Sequence, residues 1–379
     1  MTKSDVSDFF ESQSERSRIK SEIVKGYWSF YLTFMASKIK SGSVGGIGFF
    51  DLFCGKGVYD DGSESTPIKV IKSVIEKGID KKKLVMVFAD AEEDVVSEFE
   101  RNVDRIENVE SIRESIHIIH HRTGKSMVDW IRGVKLPPTF FFIDPFGYKG
   151  ISLDLILAAT ESFGCDCIFF FNYNRINMSI KNKSLLIPVN EFLGEDLAES
   201  LRERIERACN PHERRSIILE AIFSVLRDNK RYVFPFTFSF ESERKISHDI
   251  MLVTKHPIGV GAFKDVASKF GFMSEDEIPT YEFCDADRSL FPLLSEFSKT
   301  LDDLKGHLLR KYAGKRLTIK EIFEDDQQYG PFVRKNYKRA VIELEQHGAI
   351  KCIPAIGTKG RPSRNGVPTA GDGVVVTFP

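Results

Sequence analysis

The chain lacks several features that define whole classes of protein. Its 379 residues include only six cysteines, and the lone close pair, Cys165 and Cys167, forms neither a zinc motif nor a disulfide framework. A reducing compartment, the cytoplasm, is the expected location. The longest apolar runs, such as 167–171, are far shorter than the roughly 18–20 residues that span a bilayer. The polar segment 1–8 has no apolar core of a signal peptide.

A strong net charge is also absent, since the formal charge is −1. With 42% hydrophobic and 29% charged residues, the composition excludes a disordered chain and predicts a protein with a buried core. The balance conceals an asymmetry, because residues 290–379 contain 15 Lys and Arg against 10 Asp and Glu, whereas the preceding part has an acidic excess. This difference indicates two modules with different roles.

Short, almost wholly apolar segments alternate with amphipathic helices in the first half of the chain, which predicts a parallel sheet covered on both faces. A long helix over 14–40 precedes them, and its apolar residues recur at spacings of three and four, which gives an apolar stripe. The predicted strands are 47–50, 84–89, 116–119, 139–143 and 167–171, and an antiparallel edge hairpin follows over 232–240 and 248–254.

The domain layout follows from these patterns. The sequence predicts an N-terminal helical segment over 1–46 and an α/β domain over 47–279 with a helical insertion at about 176–229. From 280 to 379 it predicts a winged helix-turn-helix domain, because three helices, the first over 293–312, precede two strands that flank a Gly/Pro/basic loop. A helix is predicted over 152–162, and another over 262–270 closes the α/β domain.

A glycine-rich turn follows the first strand, in the segment Asp51-Leu-Phe53-Cys-Gly55-Lys-Gly57. Glycines let a backbone approach a ligand closely, and parallel sheets bind ligands at the carboxyl ends of their strands. The spacing fits neither a dinucleotide fingerprint nor a P-loop. The form D-x-F-x-G-x-G resembles motif I of the S-adenosylmethionine-dependent methyltransferases, and a plain strand-to-helix turn is the alternative.

Two further acidic positions end predicted strands. Asp90 ends the second strand, where its carboxylate could accept both ribose hydroxyls of a nucleoside; a helix-capping role is the alternative. Asp144-Pro145-Phe146 ends the fourth strand and resembles the (D/N)-P-P-(Y/F) motif of methyltransferases that act on exocyclic amines. In that motif a side-chain oxygen and a carbonyl accept hydrogen bonds from the amine. Phe146 or Tyr148 would stack on the acceptor, and a simple Pro-Gly turn is the alternative.

Basic residues cluster on the predicted recognition helix and wing. Lys and Arg at such positions neutralise phosphates, but winged helices also dock proteins, and charged surfaces are often merely solvated. The nucleic-acid-binding candidates are Arg334, Lys335, Lys338, Arg339, Arg361 and Arg364, with Lys359 beside them.

Other chemistries find little support. No acidic residue follows the third strand before Asp129, and His120 and His121 form a poor metal pair because adjacent side chains diverge. No Pro-Cys dipeptide is present, which argues against a cytosine-5 mechanism, and Cys54 is interpreted as a packing residue. No metal is predicted.

With these residues placed, the chain resembles the three-Cys-motif partner protein family (TcmP) over nearly its whole length. The resemblance depends on Asp51-Leu-Phe-Cys-Gly-Lys-Gly-Val-Tyr59, Asp61-Gly62, Pro67, Asp144-Pro-Phe-Gly-Tyr-Lys-Gly150, Asn172-Tyr-Asn-Arg175, Thr254-Lys-His-Pro257 and the winged-helix pattern. It implies a class I, Rossmann-like methyltransferase domain with a C-terminal winged helix. It also implies a partner protein that carries a three-cysteine motif and is similar to radical S-adenosylmethionine proteins.

The resulting hypothesis is an S-adenosylmethionine-dependent methyltransferase of nucleic acid or of a modified nucleotide. The cofactor would be bound by Asp51, Phe53, Gly55, Gly57 and Asp90, and the acceptor by Asp144, Pro145, Phe146 and Tyr148. The alternatives are a non-catalytic methyltransferase-fold subunit and a methyltransferase whose acceptor is a small molecule or a protein.

Overall fold

The computed structural model describes residues 15–145, 150–172, 186–208, 211–240, 245–274, 276–284, 299–361, 363–364 and 367–379. It divides into two compact units, 1–259 and 260–379. The division falls inside the helix Pro257–Ala267, whereas the sequence analysis places the domain boundary near 279. The predicted domain limits remain a prediction.

The first unit is an α/β domain. Its strands are β1 (Ile47–Asp51), β2 (Leu84–Asp90), β3 (Ile116–His120), β4 (Thr139–Ile143), β5 (Asp166–Phe171), β6 (Tyr232–Phe240) and β7 (Lys245–Thr254). Its helices are α1 (Glu15–Lys40), α2 (Thr66–Lys77), α3 (Glu93–Asp104), α4 (Lys125–Gly133), α5 (Leu153–Ala159), α6 (Leu186–Leu193), α7 (Glu195–Glu206) and α8 (Pro211–Asp228), and α9 (Pro257–Ala267) follows β7.

The strand order in this unit is β3-β2-β1-β4-β5-β7-β6. Strands β1 to β5 run parallel, and β7 is antiparallel to both β5 and β6. The predicted mostly parallel sheet with an antiparallel edge hairpin is confirmed, with β7 rather than β6 beside β5. The order reverses between β1 and β4, and ligands of open α/β sheets bind at such a point, outside the carboxyl ends of the strands.

One face of the sheet is covered by an aromatic layer from α1. Trp28 packs edge-on against Phe49 of β1, with ring centroids 5.1 Å apart, and stacks on Phe140 of β4 at 6.0 Å. Tyr27 contacts Phe140 at 5.4 Å. All of these rings are fully buried, so the predicted apolar stripe of the first helix is confirmed as a core element.

The opposite face is formed by the alternate strand residues, such as Phe50 and Phe141, because successive side chains of a strand point to opposite sides. They pack with residues of α4, α5 and the inserted helices α6 to α8 in a second core cluster. The predicted helical insertion is thus present from 186 onward. Its first part, 176–185, and the hairpin turn at 241–244 lie outside the described residues.

The second unit contains a winged helix. After β8 (Glu282–Cys284) it consists of α10 (Leu301–Lys311), β9 (Arg316–Thr318), α11 (Ile319–Asp326), α12 (Arg334–Gln346), β10 (Lys351–Ile353), β11 (Ser363–Arg364), β12 (Val367–Pro368) and β13 (Val375–Thr377). The strands β10, β13 and β9 form a three-stranded antiparallel sheet in that order. The helices and this sheet enclose their own apolar core. Part of the first predicted helix, 293–298, lies outside the described residues.

A buried carboxylate connects the helices of this winged helix. Asp326, at the end of α11, is only 1% exposed. Its Oδ1 lies 2.9 Å from His307 Nε2 and 2.7 Å from Lys311 Nζ, both on α10, and its Oδ2 lies 2.9 Å from the Tyr337 hydroxyl of α12. Because all three helices contact one carboxylate, this cluster fixes their arrangement.

No helix within the described ranges is long and apolar enough to cross a membrane.

Asp166, the first residue of β5, makes stability depend on pH. Tyr27 donates its hydroxyl to Asp166 Oδ2 at 2.7 Å, and burial raises the pKa of Asp166 from 3.8 to about 6. The unfolded chain therefore releases the Asp166 carboxyl proton at a lower pH than the folded chain does. As a result, the free energy of unfolding falls as pH rises through about 4 to 6. The loss, at most about 3 kcal/mol, persists above pH 6.

In the Asp166→Asn variant the amide oxygen of the side chain can still accept the hydrogen bond from Tyr27, but the side chain carries no charge at any pH. We expect its unfolding midpoint to equal that of the unmodified protein at pH 4 and to exceed it at pH 8, measured by calorimetry. Asp154→Asn, at a side chain 58% exposed, is the control and should show no such difference between the two pH values. A midpoint difference for Asp166→Asn that is the same at both pH values would contradict the assignment.

Candidate active site

The last residue of β1, Asp51, presents a fully buried carboxyl group. Its Oδ1 accepts a hydrogen bond from the Phe53 N–H at 3.0 Å, and no described residue partners Oδ2. Burial raises the pKa of Asp51 well above its ordinary value; the Phe53 N–H and the Lys20 ammonium lower it, while the charges of Asp144 and Asp90 raise it. A buried oxygen without a partner in the described chain is suited to a hydrogen bond from a bound molecule.

The two glycines after β1 have different roles. Both adopt left-handed backbone conformations, with φ of +61° at Gly55 and +86° at Gly57. A Cβ atom at Gly57 would lie 2.8 Å from Phe99 Cδ2, so this glycine lets the turn pack on α3. A Cβ at Gly55 would meet nothing within 4 Å. The backbone at Gly55 therefore borders open space, as the approach of a ligand requires.

Asp90, at the end of β2, is connected directly to this turn. Its Oδ2 accepts a hydrogen bond from the Gly55 N–H at 3.2 Å, and its Oδ1 accepts one from the Glu92 N–H at 3.2 Å. The carboxylate is partly exposed, and each oxygen keeps a second lone pair. The structure thus brings together Asp51, Gly55 and Asp90, which the sequence analysis selects from two separate motifs.

Asp144, which follows β4, forms an ion pair with Lys20 of α1. The Lys20 ammonium also lies 5.1 Å from the ring centroid of Phe170. Lys20 is absent from the predicted site, because the apolar stripe of this helix indicates only a packing role. The only sequence signal for Lys20 was its place beside the apolar stripe of this helix, because a cation there lies near the sheet that the stripe covers.

Two neighbouring side chains respond to these charges. Burial raises the pKa of Tyr59 to about 12, and the negative charges of Asp144 and Asp61 contribute. Burial lowers the pKa of His248 to about 3, helped by the positive charge of Lys20 and then that of Arg16. His248 is therefore neutral at physiological pH.

An aromatic group surrounds His248. Its ring lies 4.6 Å from Phe170 and 4.5 Å from Phe238, measured between centroids. Pro145, beside Asp144, is buried, and Asn172, after β5, is partly buried. The predicted stacking residues Phe146 and Tyr148 lie outside the described residues, as do 173–175 of the Asn-Tyr-Asn-Arg segment.

The segment after β3 also lies at the carboxyl edge of the sheet, where it contacts residues at or just after the ends of β1 and β2. The Thr123 hydroxyl donates to the Leu52 carbonyl at 3.0 Å, and the His121 N–H donates to the Asp90 carbonyl at 2.9 Å. Gly150, with φ of +84°, lies so near that a Cβ there would be 2.4 Å from the Thr123 carbonyl oxygen. Glycine at 150 therefore allows the segment after β4 to reach the segment after β3.

Cys54 lies within the turn but is unsuited to nucleophilic chemistry. It is buried, and burial raises the pKa of its thiol well above the ordinary value, with Asp51 and Asp90 adding to the effect. Since the thiolate is the nucleophile, this supports its interpretation as a packing residue. Within the described part of the chain, no group of three or more His, Cys, Asp or Glu side chains could hold a metal ion.

Each of the four candidate cations on α12 has a carboxylate neighbour in the second unit. The pairs are Arg334–Asp372 at 2.8 Å, Lys338–Asp372 at 2.9 Å, Lys335–Glu277 at 3.6 Å and Arg339–Glu343 at 3.0 Å. These cationic side chains are 34% to 50% exposed. Because exposed pairs contribute only about 0–1 kcal/mol, phosphates could replace the carboxylates.

Arg361 differs from these cations, because its side chain is only 2% exposed. Its Nη2 donates to Glu345 Oε2 at 2.6 Å, its Nε donates to the Thr369 carbonyl at 2.8 Å, and its Nη1 donates to the Pro354 carbonyl at 2.7 Å. The guanidinium joins the wing to α12 and is not presented to solvent. The side chain of Arg364 lies outside the described part of the chain.

Comparison with known families identifies the second domain. Residues 275–357 match the family model of the GMT-like wHTH domain, a winged helix-turn-helix. The match agrees with the order of helices and strands in the second unit. It covers less than half of the chain and so assigns that domain alone.

Solved structures with similarity to this chain include three methyltransferases. The plantazolicin methyltransferase BpumL in complex with SAH is 10% identical, with 66% of this chain and 90% of that chain covered and a TM-score of 0.35. The magnesium protoporphyrin IX methyltransferase ChlM from Synechocystis PCC 6803 with bound SAM is 12% identical, with 66% and 96% covered and a TM-score of 0.30. The methyltransferase domain of bacterial CtHen1-C is 12% identical, with 62% and 98% covered and a TM-score of 0.31.

At these TM-scores the similarities establish nothing further, and the comparison with curated proteins gives no match. The strand order of the sheet and the winged helix define the class of protein to which the chain belongs. The chain combines a class I methyltransferase-like α/β fold with a C-terminal winged helix-turn-helix domain.

Proposed function

We propose that the first unit binds S-adenosylmethionine at the carboxyl edge of its sheet and transfers the methyl group to an acceptor. The observation that carries this proposal is the contact between the Gly55 N–H and Asp90, beside open space at Gly55 and the unpartnered Asp51 Oδ2. This group of atoms lies beside the point where the strand order reverses, and ligands of such sheets bind at that point.

The donors and acceptors present fit this cofactor. Asp51 and the backbone from Phe53 to Gly57 would hold the methionine portion, and Asp90 would accept the ribose hydroxyls. The cofactor is cationic at its sulfonium and its amino group. A cation bound beside Asp51 would favour the ionised form of this carboxyl group, whose pKa is raised by burial in the free chain. When bound, S-adenosylmethionine supplies a methyl group that is already strongly electrophilic.

The remaining task of the chain is to position the acceptor. Asp144 and the Pro145 carbonyl would accept hydrogen bonds from an acceptor nitrogen and direct its lone pair at the methyl group. Phe146 or Tyr148 would stack on the acceptor, a role that depends on the resemblance to amine-methylating enzymes. Such orientation can account for a large part of a rate enhancement without further chemical catalysis.

The leading candidate acceptor is nucleic acid or a modified nucleotide. The winged helix-turn-helix domain and the exposed cations Arg334, Lys335, Lys338 and Arg339 support it, because such helices bind DNA in many proteins. The sequence resemblance to the three-Cys-motif partner family supports a protein partner that carries that motif. Arg361 is left out of the proposed contact because it is buried.

A small-molecule or protein acceptor is the second candidate. The pairing of the α12 cations with carboxylates of the same unit favours it, since it leaves little unbalanced positive charge on that helix. Binding of DNA or RNA that weakens steeply with added salt would favour the first candidate, because phosphate contacts release counterions.

Calorimetric titration of the full chain with S-adenosylmethionine tests the proposal. We expect micromolar binding, and we expect Asp90→Ala to weaken it at least about tenfold, because the variant loses hydrogen bonds to a charged acceptor. Asp94→Ala, at an exposed residue of α3, is the matched control and should bind as the unmodified chain does. Absence of binding to the folded chain would contradict the cofactor assignment.

A further inference from the structure

An amine nitrogen from the chain itself lies where the proposed acceptor would bind. The Lys20 ammonium contacts the Asp144 carboxylate and lies 5.1 Å from the ring centroid of Phe170. The side chains of Lys20 and Asp144 are 12% and 21% exposed. A carboxylate and an aromatic ring on one partly buried cation are the elements of an ammonium-binding site.

The surroundings favour a positive charge at this position. Asp51, fully buried and with Oδ2 unpartnered among the described residues, is affected electrostatically by both Asp144 and Lys20. The neighbouring ring of His248, whose centroid lies 4.6 Å from that of Phe170, is neutral at physiological pH. A cation in this place is therefore attracted by the Asp144 carboxylate and is not repelled by an imidazolium.

Lys20 can leave without movement of its helix. Helix α1 is anchored by the buried rings of Tyr27 and Trp28, two turns further along, whereas Lys20 reaches Asp144 through its own four-carbon chain. Rotation of that chain alone would vacate the position. Because the helix stays in place while the Lys20 side chain rotates away, another amine could bind in the position that its ammonium group leaves.

We propose that Lys20 occupies an alkylammonium subsite, and that the acceptor is a primary amine on an alkyl chain that replaces Lys20 at Asp144 and Phe170. This inference rests on the proposed methyl transfer, and it favours a small molecule, a protein side chain or a nucleotide modified with an aminoalkyl chain as the acceptor over unmodified nucleic acid. During transfer the amine gives one proton to the Asp144 carboxylate. Its nitrogen lone pair then forms the bond to the methyl carbon, and the electrons of the broken carbon–sulfur bond remain on sulfur.

The test uses n-butylamine, which has the four-carbon chain and amino group of a lysine side chain. We expect the full-length Lys20→Ala variant to bind it at least about tenfold more tightly than the unmodified chain, by calorimetry, since a charge-assisted hydrogen bond becomes available. Butan-1-ol, of similar shape but uncharged, should not bind. Adding Asp144→Asn to Lys20→Ala should abolish the gain.

Lys69→Ala is the matched control. Lys69 also forms a partly buried ion pair, with Glu22 of α1 at 3.1 Å. Its removal leaves the Glu22 carboxylate without this partner, at a position that lacks the Asp144 and Phe170 contacts of the proposed subsite. Butylamine binding by Lys20→Ala no tighter than by Lys69→Ala would overturn the subsite. Circular dichroism establishes that each variant is folded, and Lys20→Ser provides the same opening if alanine disturbs the helix.

Titration with S-adenosylmethionine separates this inference from the proposed function. Cofactor binding without a gain in butylamine affinity would refute the alkylammonium subsite and leave the cofactor site standing. A gain in butylamine affinity without cofactor binding would support the subsite and refute the methyl-transfer proposal.

Discussion

Replacing Gly55 with valine is expected to weaken S-adenosylmethionine binding about 100-fold, equivalent to about 2.7 kcal/mol. At this position a Cβ would extend into open space beside the Asp90 contact, and the two methyl groups of valine would fill the volume assigned to the cofactor. The measurement is the dissociation constant by calorimetry.

The chain offers a closely matched control in Gly78, the residue after α2. Its φ is +62°, against +61° at Gly55, and a Cβ there also meets nothing within 4 Å. Valine at either position costs about 1–2 kcal/mol of backbone strain, so the two variants should lose similar stability. Only Gly55→Val should lose cofactor affinity. Equal affinity in the two variants would show that no ligand approaches the turn at Gly55.

Asp326→Ala is expected to destabilise the winged helix by about 3–5 kcal/mol. Removal of this carboxylate leaves Lys311, His307 and the buried Tyr337 hydroxyl without their common acceptor, and loss of one partner from a buried ionic cluster has effects of this size. Both tryptophans, Trp28 and Trp130, belong to the first unit. Their fluorescence is therefore unsuitable, and amide hydrogen exchange along α12 is the appropriate measurement.

Asp325→Ala is the control for this effect. Asp325 precedes Asp326 and also contacts Lys311, at 2.9 Å, but its side chain is 61% exposed. We expect it to cost less than about 1 kcal/mol, with exchange along α12 nearly unchanged. The Asp326 variant should exchange roughly 100- to 4,000-fold faster, as about 3–5 kcal/mol implies. Similar exchange in the two variants would mean that the buried cluster does not hold the helices together.

The parallel part of the sheet could be predicted because of where its strands lie. Strands β1 and β4 are buried at every position, so each residue must be compatible with a core, and such strands read as continuous apolar runs. The residues of the glycine turn were also identifiable, because their roles depend on a local backbone conformation that few residues other than glycine adopt.

Helix ends were predicted less well where a local contact decides them. The helix α5 ends at Ala159 rather than 162, because the Thr160 hydroxyl donates to the Ile156 carbonyl and the chain reverses at Gly164, with φ of +72°. The helix α9 spans Pro257–Ala267 rather than 262–270. Pro257 was the available signal for its start, since proline is favoured in the first turn of a helix.

Contacts between distant side chains that no motif connects could not be predicted. Lys20 and Asp144 are 124 positions apart, and nothing in the local pattern around either residue indicates the other. Arg361 was grouped with the exposed cations because arginine in a Gly/Pro-rich loop normally faces solvent. Its burial depends on where Glu345 lies after the wing has folded against α12, which is a property of the tertiary structure alone.

The anchoring of the wing by Arg361 bears on how this chain can vary between related organisms. Three hydrogen bonds to three different acceptors require the planar fork of a guanidinium, and lysine cannot reproduce that geometry. Positions 345 and 361 should therefore change together or not at all, as a buried pair does. The exposed basic positions of α12 carry no such constraint and are free to follow whatever the domain binds.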